Sequence, residues 1–173
     1  NNLKVTGCEQ CVQADLKLGL PDASDKEGNR IARDILGFID MTLEDGDGHP
    51  VVFDFKWTTW AKGYQEKLES NRSIQLELYR IMLGQKMKDE VRRVAYFLMP
   101  DARLYSKEMF RGKHCTQIPS GNKDNIIEKL RQSVIYRKKQ LADGIVETNG
   151  TYDELQYVKD TETNGLFPLE KDE

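Results

Sequence analysis

Two apolar runs, each interrupted by a carboxylate, constrain this chain more than any other feature. They are Gly37-Phe38-Ile39-Asp40 and Val51-Val52-Phe53-Asp54-Phe55-Lys56, with Gln75-Leu76-Glu77-Leu78-Tyr79 following downstream. A strand alternates faces with period two, so Asp54 and Lys56 point one way while Phe53 and Phe55 point the other. A charged pair inside a buried run is costly unless partners or a metal compensate it. Such a conflict between pattern and burial marks an expected functional site.

The chain has 173 residues, enough for one domain with a real core. With 38% hydrophobic and 32% charged residues it reads as soluble and polar, and its apolar runs are too short to span a bilayer. No signal-peptide pattern opens it. The abrupt start at Asn1-Asn2-Leu3 suggests a domain of a longer protein. A net charge of −3 gives no global basic field to advertise a nucleic-acid partner. The odd count of cysteines, Cys8, Cys11 and Cys115, argues against a secreted disulfide framework and for a cytoplasmic location.

Along the chain, residues 3–18 read as an extended, partly exposed strand and residues 19–29 as a polar loop. A second strand is expected over Arg30–Leu43, with Ile31, Ile35, Ile39 and Met41 on one face and Phe38, Asp40 and Thr42 on the other. Glu44 to Pro50, with Asp-Gly twice, reads as a hairpin connection. It leads into an antiparallel third strand over Val51–Lys56. A connection with helical tendency near Tyr64 to Leu68 follows.

Residues 71–87 carry a helical stripe of Ile74, Leu78, Ile81 and Met82, with Ser70, Asn71 and Ser73 as candidate N-caps. Residues 91–99 read as a strand ended by Pro100, which 102–105 extends, and 110–122 as a loop. Residues 124–141 form an amphipathic helix stopped by Asp143-Gly144. The order strand, strand, strand, helix, strand, helix is that of a mixed α/β domain. We place the domain at residues 1–147 and a polar C-terminal tail at 148–173.

Phosphodiester cleavage needs an activated water and a way to stabilise charge developing on phosphate, and a divalent cation supplies both. Magnesium prefers hard oxygens and takes one or two protein carboxylates. Asp40 and Asp54, on strands joined by a hairpin, could share one ion, with the Phe55 backbone carbonyl as a further oxygen. Lys56 could orient the water or stabilise transition-state charge. Gln75 and Tyr79, four residues apart, share one helix face.

Gly37-x-x-Asp40 followed by Asp54-x-Lys56 resembles the bipartite signature of the PD-(D/E)XK nuclease superfamily, and Gln75-x-x-x-Tyr79 is similar to the added motif of its RecB-like branch. The resemblance spans roughly residues 30–99. It implies a restriction-endonuclease-like core, a central mixed β-sheet flanked by helices, with Mg²⁺ or Mn²⁺ as cofactor and DNA as substrate. It further implies that Asp40 and Asp54 are metal ligands, Lys56 the catalytic lysine, and Gln75 and Tyr79 an accessory pair beside the site. The family core opens with a helix that often brings a Glu, or in RecB-like members a His, to the site. This chain opens in a strand, so that helix is expected to lie upstream or to be absent. Glu9 is the one early carboxylate that could substitute, although a strand Glu is normally just solvated.

Blander readings stand beside these. Asp40 could be satisfied by backbone donors, and Asp54 with Lys56 could be a surface ion pair. Cys8, Cys11, His114 and Cys115 have the residue types of a zinc site, but i and i+3 on a regular strand face opposite ways, so ordinary thiols are the better expectation. Arg92, Arg93, Arg131, Arg137, Lys138 and Lys139 could line a phosphate groove or simply be solvated. Trp57 and Trp60 could stack on bases or plug the core.

The function expected is therefore a metal-dependent deoxyribonuclease, exo- or endonuclease, within a larger DNA repair or recombination protein. It would work with a helicase or another domain as partner and without a membrane. The alternative is a nuclease-like DNA-binding or scaffold module without catalysis.

Overall fold

The computed structural model describes residues 2–16, 23–24, 30–32, 35–119 and 125–145. The chain falls into two compact units, Asn1–Lys123 and Asp124–Glu173. The boundary expected at residue 148 lies outside the described residues.

The first unit is built on a six-stranded mixed sheet. In spatial order its strands are β1 (Lys4–Ala14), β4 (Ile35–Glu44), β5 (Pro50–Lys56), β6 (Arg93–Leu98), β7 (Arg103–Ser106) and β8 (Cys115–Gln117). β1, β4 and β5 form an antiparallel meander. β6 then lies parallel to β5, Asp54 facing Tyr96 and Lys56 facing Leu98. A parallel neighbour needs a long crossover, and α1 (Ala61–Glu69) and α2 (Ile74–Met87) supply it. β7 runs antiparallel to β6, and β8 parallel to β7.

Several elements differ from the sequence expectation. The strand expected over Arg30–Leu43 is two: β3 (Arg30–Ala32) pairs back on β2 (Ala23–Ser24) in a separate two-stranded sheet, so Ile31 does not extend the β4 face. The connection after Trp57 holds a full helix, α1. Asn71 ends its turn with φ of 54°, the left-handed conformation that Asn tolerates better than most residues. Ser73 is the N-cap of α2 by position, but its side chain makes no capping bond and its Oγ is buried without a hydrogen-bond partner. β8 falls in the stretch expected to be loop. Three residues flanked by Gly112 and Pro119 carry too little pattern to announce a strand.

The two faces of the sheet have different work. On one, Leu43, Val51, Phe53, Ala95 and Phe110 form a buried cluster with Phe55, Leu104 and Cys115 packed against it. On the other, Val52 and Asp54 face α2, which packs across β1, β5 and β6. Alternation along β5 is as the sequence implies. On β4, Ile39 and Leu43 are buried while Phe38 is exposed.

Polar ties hold α2 in place. Arg80 donates to Val91 O at 2.7 Å, to Glu108 at 2.6 Å and to Glu77 at 3.1 Å. Lys107 bonds Asn71 and reaches Glu77. Buried Ser106 Oγ donates to Val94 O at 2.7 Å. Lys86 Nζ donates to Cys11 O, fastening the far end of α2 to β1.

The described part of the second unit is α3 (Ile126–Ala142). The Asn125 side chain caps it by accepting from the Ile127 and Glu128 amides. Among the described residues no helix is long and apolar enough to cross a membrane.

Candidate active site

The site forms where β4 and β5 part. Their ladder runs from Glu44 facing Pro50 to Met41 facing Phe53 and ends there, just before Asp40 and Asp54. There a side chain replaces the backbone acceptor: the Phe55 amide donates to Asp40 Oδ2 at 2.7 Å. A charge-assisted bond of this kind fixes the carboxylate between the strands.

Asp54 is 1% exposed. Lys56 Nζ lies 2.9 Å from its Oδ2 and is the cationic partner of this buried oxygen. Burial pushes the Asp54 carboxyl above its ordinary range; Lys56 pulls it back, and the charge of Asp40 pushes it up again. Burial works against the charge of Lys56, but Asp54, with smaller help from Tyr64 and Asp40, holds the ammonium above the usual lysine range. Lys56 is thus a fixed positive charge at neutral pH.

A chain of contacts runs from this pair into α2. Lys56 Nζ donates to Gln75 Oε1 at 3.0 Å, and Gln75 Nε2 donates to the Tyr79 hydroxyl at 3.1 Å. Both Gln75 and Tyr79 therefore stand with the charged pair. Burial raises the Tyr79 phenol, the Gln75 bond offsets this in part, and Asp54 and Asp40 raise it further. The phenol stays neutral and accepts the Gln75 amide.

Gly37 sets how closely α2 approaches β4. A Cβ there would sit 3.1 Å from both Met82 Cε and Tyr79 Cε1, tighter than ordinary van der Waals contact. Gly37→Val is expected to lose about 1–3 kcal/mol of stability by overpacking, read as a lower midpoint in urea unfolding. An unchanged midpoint would mean that α2 is not seated on Gly37.

On the open side of Asp40 lies a recess of about 400 Å³ lined by Cys8, Glu9, Asp40 and Phe55. Sequence reasoning gave Glu9 little weight, weighed Cys8 only as a zinc ligand, and missed Tyr64, which no motif marks. Tyr64, on α1, packs edge-on against Tyr96 with ring centroids 4.9 Å apart.

Other candidates separate. Cys8 and Cys11 are on β1 and Cys115 on β8, at opposite edges of the sheet. Five strand spacings, roughly 24 Å, keep them from sharing a zinc. Trp57 is 81% exposed and Trp60 55%, so neither plugs the core. The Trp60 ring lies where a Cβ on Gly63 would be, on the first turn of α1. Arg93 is held by Asp45 at 2.7 Å and stacks on Phe110, and Arg92 pairs with Glu90. On α3, Arg131 pairs with Glu128 and Arg137 bonds Gln140. His49 Nδ1 sits 3.5 Å from Asp89, and His114 lies beyond β7 in an exposed turn.

A family model described as the PD-(D/E)XK nuclease superfamily matches residues 3–153. The chain belongs to that superfamily. The mixed sheet and its flanking helices are consistent with the restriction-endonuclease-like core, and membership supports a nuclease-type function. No curated protein matches the chain. Among the described residues no three His, Cys, Asp or Glu side chains gather closely enough to cage a metal ion. The carboxylates of Asp40 and Asp54 nevertheless suit one: their donors are hard oxygens, and the charge of Asp40 works against that of buried Asp54, a repulsion a cation would relieve.

Proposed function

We propose that the chain is a Mg²⁺- or Mn²⁺-dependent DNA nuclease of the RecB-like type. One observation carries the reading: Asp54 is buried, holds the Lys56 ammonium at 2.9 Å and lies within electrostatic reach of Asp40. Asp40 and Asp54, with the Phe55 carbonyl, would hold the cation. When bound it supplies an acidic water and a counter-charge for phosphate. Lys56, already cationic, sits where charge develops during phosphodiester hydrolysis. Gln75 and Tyr79 keep its ammonium directed at the site.

The test is Mg²⁺-dependent cleavage of linear DNA. We expect cleavage that a chelator abolishes and that Asp40→Asn loses. Full cleavage by Asp40→Asn would remove Asp40 from the site. A second reading, a nuclease-like DNA-binding or scaffold module, draws support from the lack of three gathered metal-binding groups among the described residues. DNA binding without cleavage at any Mg²⁺ or Mn²⁺ concentration would favour it. In either reading the chain would work within a larger DNA repair protein, beside a helicase.

A further inference from the structure

Two tryptophans follow Lys56, and the core uses neither. Trp57 comes directly after the lysine, where β5 ends, and is 81% exposed; Trp60 is 55% exposed. Trp is highly buried on average, so two exposed indoles within four residues call for a reason. Trp60 is also held in place. Its amide donates to Thr58 Oγ1 at 3.0 Å and the Ala61 amide to Thr59 O at 2.9 Å, which fixes the turn into α1. The six-membered ring lies against buried Gly63, where a Cβ would overlap ring atoms Cε3, Cζ3 and Cη2. The indole is thus seated on the first turn of α1 with half of the residue left to solvent.

The charges around these rings suit a polyanion. Residues 55–65 include Lys56 and Lys62 and no carboxylate, and the first turn of α1 adds no acidic side chain. Lys62 is 81% exposed, and its contact with Glu66 at 3.7 Å is of the exposed kind that is worth little. Cations beside exposed aromatic rings are the combination that holds single-stranded DNA, the charge following the backbone and the bases stacking on the rings. In a duplex each base is covered by its neighbours in the stack, so only an unstacked base can take that place.

Resting on the nuclease reading for where the strand runs, we infer that Trp57 and Trp60 are a base-stacking site that takes an unstacked nucleobase of single-stranded DNA next to the phosphate at Lys56. Trp57 and Trp60 are the chain's two tryptophans, so selectively excited indole emission reports on them alone. Titration of the full chain with a short oligothymidylate, with chelator present so that no strand is cut, should quench that emission. A duplex of the same length should quench it far less. In anisotropy with a dye-labelled oligothymidylate, Trp57→Ala and Trp60→Ala should each bind about 10-fold more weakly. Trp60→Tyr, which keeps a ring over Gly63, should retain most of the affinity. Gly63→Ala should weaken binding as well, because the new Cβ displaces the Trp60 ring, although alanine is the better helix former. Met109→Ala, a hydrophobe 65% exposed beyond β7, should leave binding unchanged. Wild-type affinity in both alanine variants of the tryptophans, or equal quenching by duplex, would overturn the inference while Asp40-dependent cleavage still stood. No quenching by any DNA would make these rings a surface for another protein and overturn it too. Quenching by the single strand in a chain that never cleaves would keep the stacking site and sink the nuclease reading.

Discussion

Asp54→Asn is expected to lose on the order of 10³-fold in Mg²⁺-dependent DNA cleavage, the rate equivalent of several kcal/mol of charge stabilisation, and yet to melt no lower than the wild-type chain without metal. The two outcomes share one cause. Without a cation, Asp54 is a buried carboxylate pushed above its ordinary range by desolvation, only partly relieved by Lys56 and opposed by Asp40. An acid whose folded-state pKa is raised favours the fold when protonated. That advantage is lost as pH rises from the unfolded value near 3.8 through the raised one. Asn keeps the shape and an acceptor for Lys56 but carries no charge. Metal-free melting curves from about pH 4 to about pH 8 should therefore converge at the acid end, with the variant higher at the alkaline end. With Mn²⁺ present the order should reverse, because ligand binding stabilises only the protein that can hold it. A variant that melts well below the wild type at pH 8 without metal would show that Asp54 is there to hold the strands together.

Lys56→Met should lose about 10²–10³-fold in cleavage while retaining Mn²⁺ binding. Met preserves the length and apolar stem of the side chain and removes the ammonium that touches Asp54 at 2.9 Å and Gln75 at 3.0 Å. The Asp54 carboxyl, deprived of that charge, should hold its proton still harder, so Mn²⁺ affinity should fall off more steeply as the solution is acidified. The stability effect has the same pH sense as that of Asp54 and falls at higher pH. The folded-state pKa of Lys56 is raised above 10.5. Its contribution is fully present below that value and lost as pH climbs through the raised one. Cleavage by Lys56→Met at the wild-type rate would remove the lysine from the chemistry.

Much of this site could be read before the fold was known, because its residues contradict their surroundings. Asp40 and Asp54 interrupt apolar runs, and Lys56 follows at the spacing that returns it to the same face. The Asp-Gly hairpin between the runs makes their strands neighbours, so the carboxylates had to lie close. Gln75 and Tyr79 were legible as a pair through helical spacing alone. What brings them to Lys56 is the parallel crossover, and α2 reaches β4 closely only because residue 37 has no Cβ. The separation of Cys8 and Cys11 from Cys115 was not legible either, since strand order is a property of the sheet rather than of spacing along the chain.

The sequence by itself determined the alternation of β5, the antiparallel hairpin and the identity of the charged groups. These depend on residues close in the chain and on a fixed side-chain period. The tertiary structure alone decided that Asp54 is buried against the Lys56 ammonium, that the Phe55 amide bonds Asp40, and that Glu9 lines the same recess as Asp40. Those outcomes depend on which strands become neighbours and where their hydrogen-bond ladder breaks, and no local pattern encodes either.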